Sequence, residues 1–408
     1  MRELRGTPQV GRGHAEGCLV TELRAGAGTS ENLDAVEAGR SAAEQAMRGL
    51  EGDKPALVFV YATAHYDLPA LLASVRSVTG DAPLVGASSS GQFATGKLIE
   101  PGCGMAVMVL SAGPYRFGTA AVTGMRADAY EVGRRLARAA MAAVGPQRQP
   151  HGAILLLSDG LAGDPQGLLN GIYQVAGAAV PVVGGAAGTD RELNETLVFH
   201  NDQVLGDGAV AVWIDSPRPL RVVSAHGWQA HGLPMLVTKV DGPIVYEIAG
   251  RPAREVYQEN FRYDDPMLEL PTPRAAGYHS AHAFGLIEPD GTQLIRGAFV
   301  DDDGLIRTFT PLPLYSAVQI VSCEPDQLLS ICEPVVKEAL DVDNPRVLLA
   351  FSCAARMDIL RERAVEEPIR LQAAAGDIPT FGFYTYGEFA RSTGVSGYHN
   401  ATLTAIAL

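Results

Sequence analysis

The chain has 408 residues, 47% hydrophobic and 19% charged, which is enough apolar material for more than one buried core. Its formal net charge of -14 argues against a general nucleic-acid or anionic-membrane surface, both of which want a basic face. Residues 1–20 lack the apolar centre of a signal peptide, and no run of about 18 apolar residues offers a membrane span. The five cysteines include no C-x-x-C pair, so a reducing cytoplasm is the expected compartment.

Taken in order, an N-terminal extension (1–29) precedes a helix expected over 32–49. Its apolar positions Leu33, Val36, Ala43, Ala46, Met47 and Leu50 fall near a helical period. A first β-α-β unit follows: the apolar run 56–61, a helical segment over 68–78, and the stretch 82–92 around Pro83 and Gly86. Strands over 105–110 and 116–122 and a helix over 128–144 lead to a second unit. That unit has its apolar run at 152–157, its helix at 165–178, and a stretch 180–190 around Pro181 and Gly184. Strand-like runs over 236–240 and 245–249 come next, then a short helix from Pro252 and a Pro-rich connector (Pro266, Pro271, Pro273). A hairpin-like segment over 299–309 turns at Asp301, Asp302, Asp303 and Gly304. The third unit comprises the run 346–351, a helix over 357–375, and the stretch 378–388 around Pro379 and Gly382. The chain closes on a strand over 402–408.

In each unit the final stretch reads as proline, two small or apolar residues, glycine, then a short Gly-rich or polar run. The prolines are 98 and 198 residues apart, so the third copy falls near twice the first interval. Such self-similarity implies one structural unit used repeatedly. Continuous Val/Ile/Leu runs fit strands buried on both faces. The segments 208–214 and 220–225 echo 104–110 and 115–120, which extends the duplication beyond the β-α-β core. The expected fold is α/β, with two related halves built from repeated β-α-β units and mixed sheets. The first half, 30–228, holds two copies, and the second spans 229–408. The glycine is read as opening a strand-end turn with free amide N–H groups, the usual ligand side of an open α/β sheet.

Catalytic motifs are weak. Ser88, Ser89, Ser90 and Gly91 do not match G-x-S-x-G, and 184–188 does not match G-x-G-x-x-G. The triple aspartate reads as a solvated turn, and Cys353 as a buried, unreactive thiol. A hydrolase or transferase using the Gly-rich strand-end loops is the competing class. The last unit carries more chemistry. Cys353, Arg356, Tyr384, Tyr386 and Glu388 lie just past two strands that should be neighbours. Arg356 and Glu388 suit the carboxylate and amine of an amino-acid-like ligand, or else pair with each other. His399 and Asn400 line the same cavity or cap a turn, and Ser88 is expected near it.

These residues carry a resemblance. The Pro-x-x-Gly stretches, the turn-helix 250–257, residues 351–356, and above all 382–388 with His399, Asn400 and Thr402 resemble the FIST (F-box and intracellular signal transduction) family. The resemblance covers about residue 30 to the end, with a FIST N-terminal domain at 30–228 and a C-terminal domain at 229–408. It implies a small-ligand-binding sensory protein in bacterial signal transduction. One bacterial branch is similar to haem-binding nitric-oxide sensors that act on a histidine kinase or a cyclic-di-GMP enzyme. Applied here, that branch implies non-covalent haem b, because no C-x-x-C-H is present. His226 beside Trp228 is then the candidate axial ligand, with His231, His279, His282 and His65 as competitors. The alternative is an amino-acid or other small-molecule sensor without haem. No nucleic acid or membrane partner is implied, and oligomeric state stays open.

Overall fold

A computed structural model describes residues 22–190, 194–259, 282–301, 303–391 and 396–408. Its architecture is α/β with mixed sheets, and the repeated unit occurs three times. Each unit supplies a parallel pair of strands joined by a helix. The pairs are Leu57–Ala62 with Leu84–Ser88, His151–Ser158 with Val182–Ala186, and Leu348–Cys353 with Thr380–Thr385. An antiparallel strand flanks each first member: Met105–Leu110, Gly208–Ser216 and Leu403–Ala407. Beyond it lies an edge strand: Ala25–Ser30, Arg116–Thr123 and Val222–Ala225. The echoes between 104–120 and 208–225 are these equivalent strands. The boundary expected at 228 separates Val222–Ala225 from Leu403–Ala407, its partner in one sheet.

The other side of each parallel pair is completed by a neighbouring unit. After its second parallel strand, every unit sends a hairpin strand onto the next sheet. The first unit's Gln92–Ala94 pairs with Thr380–Thr385, the second unit's Val198–His200 with Leu84–Ser88, and the third unit's Gly387–Arg391 with Val182–Ala186. The exchange is cyclic and closes after three steps. Each sheet therefore has six strands in the same order, and none is complete without another unit.

This exchange explains the glycines differently from the expected turn. Gly86, Gly184 and Gly382 lie inside strands, opposite Val60, Leu156 and Ala350. A Cβ at any of them would collide with the carbonyl oxygen of that partner. On the other side each glycine faces an aromatic ring from the incoming hairpin: Phe199, Phe389 and Phe93, all fully buried. A bulky ring laid over a strand glycine restores the packing that the missing side chain forfeits.

The inner faces of the three sheets share one apolar core. Phe59, Leu155 and Leu349 occupy equivalent positions in it, as do Tyr61, Leu157 and Phe351. Tyr61 packs on Phe381 and Phe383 with ring centroids 5.1 and 4.2 Å away. The outer faces are covered by each unit's own helices in three separate clusters. Those helices start where the sequence supplies caps: Asp34, Asp67 and Asp164 each accept a hydrogen bond from a first-turn N–H. The third unit departs from the expected single helix over 357–375. It has Ala354–Leu360, a 3-10 turn Arg361–Val365 and Glu366–Ala375, broken where Arg361 takes φ 53°.

Between the third unit's edge strand and its first helices, the described residues of 229–322 form a separate element. Gln229–Asp241 pairs with both Ala317–Ser322 and Ile244–Ile248. Through His282–Ile287, Gln293–Val300 and Ile306–Thr308, the pairings run round to a closed six-stranded antiparallel barrel. Its interior is filled by side chains including Phe284, Ile320 and Tyr257. The expected hairpin at 299–309 is part of it. The carboxylate of Asp301 accepts from the N–H groups of Asp303 and Leu305 and pairs with Arg307, which fixes the turn. The connector prolines lie outside the described residues. No helix among the described residues is long and apolar enough to cross a membrane.

Candidate functional site

The polar groups singled out from the sequence gather at the carboxyl ends of the third unit's parallel strands, where the barrel docks. Trp228 closes that junction by donating its indole N–H to the Ala401 carbonyl at 3.2 Å.

Arg356 is fully buried, one turn past the strand end at Cys353. It does not meet Glu388. Its Nε and Nη2 donate to Glu367 Oε2 at 3.1 and 2.8 Å, and Nη2 also donates to the Leu328 carbonyl at 2.9 Å. Ser352 Oγ bridges arginine and glutamate, and Nη1 reaches the His226 carbonyl at 3.4 Å. Burial is the largest influence and works against the charge, but Glu367, Cys332 and Tyr384 together hold the guanidinium above its ordinary pKa. Four segments are thus tied to one side chain. The partner, Glu367, was not singled out from the sequence, because the break at 361–365 sets its reach.

Glu388 is equally buried and sits on the exchanged strand, opposite Gly185 and His399. It accepts from Thr385 Oγ1 at 2.6 Å and from the Thr402 N–H at 3.1 Å. Burial pushes its pKa up to about 8, against those hydrogen bonds and one from Cys353. At neutral pH the group is therefore a carboxylic acid that can donate a hydrogen bond. Cys353 is a buried thiol pushed well up by burial and then by Glu388, consistent with an unreactive role.

The remaining residues divide between this junction and the centre of the molecule. Tyr384 is fully buried with its hydroxyl lacking any partner, and its ring meets Phe93 edge-on at 5.8 Å. Tyr386 reaches the second unit and shares a 2.8 Å hydrogen bond with Thr189 Oγ1. Ser88 Oγ donates to the Gly188 carbonyl at 2.8 Å and accepts from the Leu197 N–H at 2.9 Å, so it locks two units together. His399 Nε2 donates to the Ala390 carbonyl at 2.8 Å. Asn400 Oδ1 accepts from Thr310 Oγ1 of the barrel at 2.9 Å.

One residue that sequence reading missed changes the character of the junction. Arg296, on barrel strand Gln293–Val300, is buried to 4% exposure. Among the described residues it forms no ion pair. Its Nη1 donates only to the Ile295 carbonyl at 3.1 Å, and its Nε has no partner. Burial lowers its pKa to about 10, with Tyr398 and Glu288 opposing. Tyr398 lies within electrostatic reach of Glu388, Cys353 and Arg296, so these groups share one polar layer. Arg296 alternates with apolar neighbours as any half-buried strand residue would, so periodicity carried no signal of it.

His226 bears on haem. Its Nδ1 accepts the Trp228 N–H at 2.9 Å, which places the ring proton on Nε2. Iron ligation requires the opposite tautomer, with a lone pair on Nε2. Burial and then Arg356 depress its pKa to about 4. The geometry therefore does not fit an axial ligand. His231 bonds Ser322, His65 pairs with Asp190 at 3.2 Å, His282 opens a barrel strand, and His279 lies outside the described residues. No group of three or more metal-ligating side chains occurs among the described residues.

An α/β scaffold of three exchanged units, with a barrel closing a buried polar layer, is the class of protein defined here. Family comparison places it further: residues 56–251 match the FIST N domain and residues 253–391 the FIST C domain. The chain belongs to the FIST family, whose domains are implicated in sensing for signal transduction. It is 27% identical to the uncharacterized protein MT0656 of Mycobacterium tuberculosis (strain CDC 1551 / Oshkosh), over 93% of this chain and 98% of that protein. It is 26% identical to the uncharacterized protein Mb0898c of Mycobacterium bovis, over 93% of this chain and 97% of that one. A more distant relative is the uncharacterized protein MJ1623 of Methanocaldococcus jannaschii. It is 21% identical over 56% of this chain and 48% of its own length.

Proposed function

We propose that this protein is a small-ligand sensor whose ligand is held where the barrel meets the third unit, with an anionic group against Arg296. The observation that carries the reading is a buried guanidinium that forms no ion pair among the described residues and whose Nε lacks a partner. An unpaired buried charge costs several kcal/mol, and an incoming carboxylate would offset that cost. Glu388 in its neutral form and the unpartnered Tyr384 hydroxyl supply further hydrogen-bonding capacity in the same unit. A small carboxylate such as an amino acid meets these demands. Arg356 then acts indirectly, by fixing the wall. Ligand binding would shift how the barrel seats on the third unit, and a histidine kinase or cyclic-di-GMP enzyme would read that shift.

Haem b is the second reading, and the His226 tautomer weighs against it. A hydrolase is weaker still, since Ser88, Ser89 and Ser90 donate to the oxygens of Gly188, Gln92 and Thr189 rather than to a base.

Calorimetry with the free amino acids and short carboxylic acids tests the proposal. The parent should bind at least one, and Arg296→Gln should weaken that binding at least tenfold. Equal affinity in the two proteins removes Arg296 from the site. A Soret band in protein reconstituted with haem, lost in His226→Ala, would move the assignment to haem.

A further inference from the structure

At the opposite end of the sheets, a cavity of about 500 Å³ opens between the second and third units. Its wall is built by the starts of Val182–Ala186 and Val222–Ala225 and by the residues before Leu348–Cys353. Arg218, Arg221 and Arg391 line it together with Tyr115, while Val180, Leu220 and Val342 give it apolar surface. Three arginines against two aspartates, Asp341 and Asp343, leave the cavity lining net positive in a chain of net charge -14.

We propose that this cavity is a second binding site, for a phosphorylated small molecule. Arg221 is placed but loosely paired, whereas the Arg218 guanidinium also donates to the Asp343 carbonyl at 2.6 Å. Arg221 stands 3.5 Å from Asp341 and 3.9 Å from Glu338, and Arg218 stands 4.0 Å from Asp343. Those acidic side chains are exposed by 77%, 59% and 88%, so the pairs are worth little and yield readily to a stronger anion. The backbone at Arg218 is fixed in advance: its N–H and carbonyl both bond Ser216 Oγ, at 3.2 and 2.7 Å. Arg391 lies over the Tyr173 ring at 4.3 Å, which holds its guanidinium flat. Planar guanidinium forks match phosphate oxygens. The volume falls in the range of small-molecule sites and exceeds what inorganic phosphate would fill, so the ligand has an organic body packed on the apolar wall. Arg391 ends the strand Gly387–Arg391 that carries Glu388, so this site abuts the same exchanged strand as the other.

The test titrates the full chain with inorganic phosphate, ribose 5-phosphate and citrate by calorimetry. Saturable binding of ribose 5-phosphate, tighter than inorganic phosphate, is expected. Arg221→Gln should weaken it at least tenfold, and adding Arg218→Gln should abolish it. Arg221 has only exposed partners, so its single variant decides the matter even if the double variant misfolds. Arg296→Gln should leave this binding intact, which separates failure here from failure of the sensor reading. No binding of either phosphate, unchanged affinity in Arg221→Gln, or binding of citrate alone would each overturn the proposal.

Discussion

The first and third units have the same strands in the same order and the same glycine under the same kind of ring, yet their polar interiors differ. At equivalent positions on the exchanged strands stand Gln92 and Glu388. Gln92 bonds Ser89, while its amide nitrogen and the nearby Thr63 hydroxyl have no partner. In the third unit the corresponding region holds a carboxyl of raised pKa, an Arg356–Glu367 pair and a docked barrel. A shared scaffold fixed the backbone, and one copy acquired ionisable chemistry where the barrel excludes water.

The strongest way to break this comparison is to unpair the third unit. Glu367→Ala leaves Arg356 buried without its carboxylate and should cost about 3–5 kcal/mol in denaturant unfolding. A loss below about 1 kcal/mol would mean that the pair is not a structural element.

The scaffold itself should respond alike in every copy. Gly86→Ala, Gly184→Ala and Gly382→Ala each drive a methyl into a strand carbonyl. We expect each to lose about 1–3 kcal/mol or more, and thermal melts should rank the three together. One harmless substitution would show that its strand departs from the common register.

The pH profile sharpens the chemical difference. Glu388 holds its proton to about pH 8 when folded but loses it near 4.5 when unfolded. Its raised pKa therefore favours the folded state at low pH, and stability should fall as pH rises from about 4.5 to 8. The slope approaches about 1.4 kcal/mol per pH unit. His226 and His399, both depressed to about 4, act in the other direction: they remove stability as pH falls from 6.5 towards 4. Glu388→Gln should flatten the loss between pH 6.5 and 8 and leave the acid limb. An unchanged alkaline limb would mean that Glu388 ionises normally.

The smallest effect belongs to the first unit. Thr63→Val replaces an unpartnered hydroxyl and should change stability by less than about 1 kcal/mol, in either direction.

The sequence by itself determined the repeated unit. Apolar runs of strand length and Pro-x-x-Gly stretches are local signals, and each of the six expected strands lies where those signals placed it. It also directed attention to Arg356, Tyr384 and Glu388, because residue type and position past a strand end are readable along the chain. What only the tertiary structure decided is who meets whom. The role of Gly382 depends on Phe93, some 290 residues earlier, and Arg356 met Glu367 instead of Glu388 because a helix breaks at Arg361. Arg296 joins the buried polar layer because the barrel folds back over the third unit. The exchange of hairpins and the seating of the barrel are long-range pairings, set by the complementarity of distant surfaces, and no local period records them.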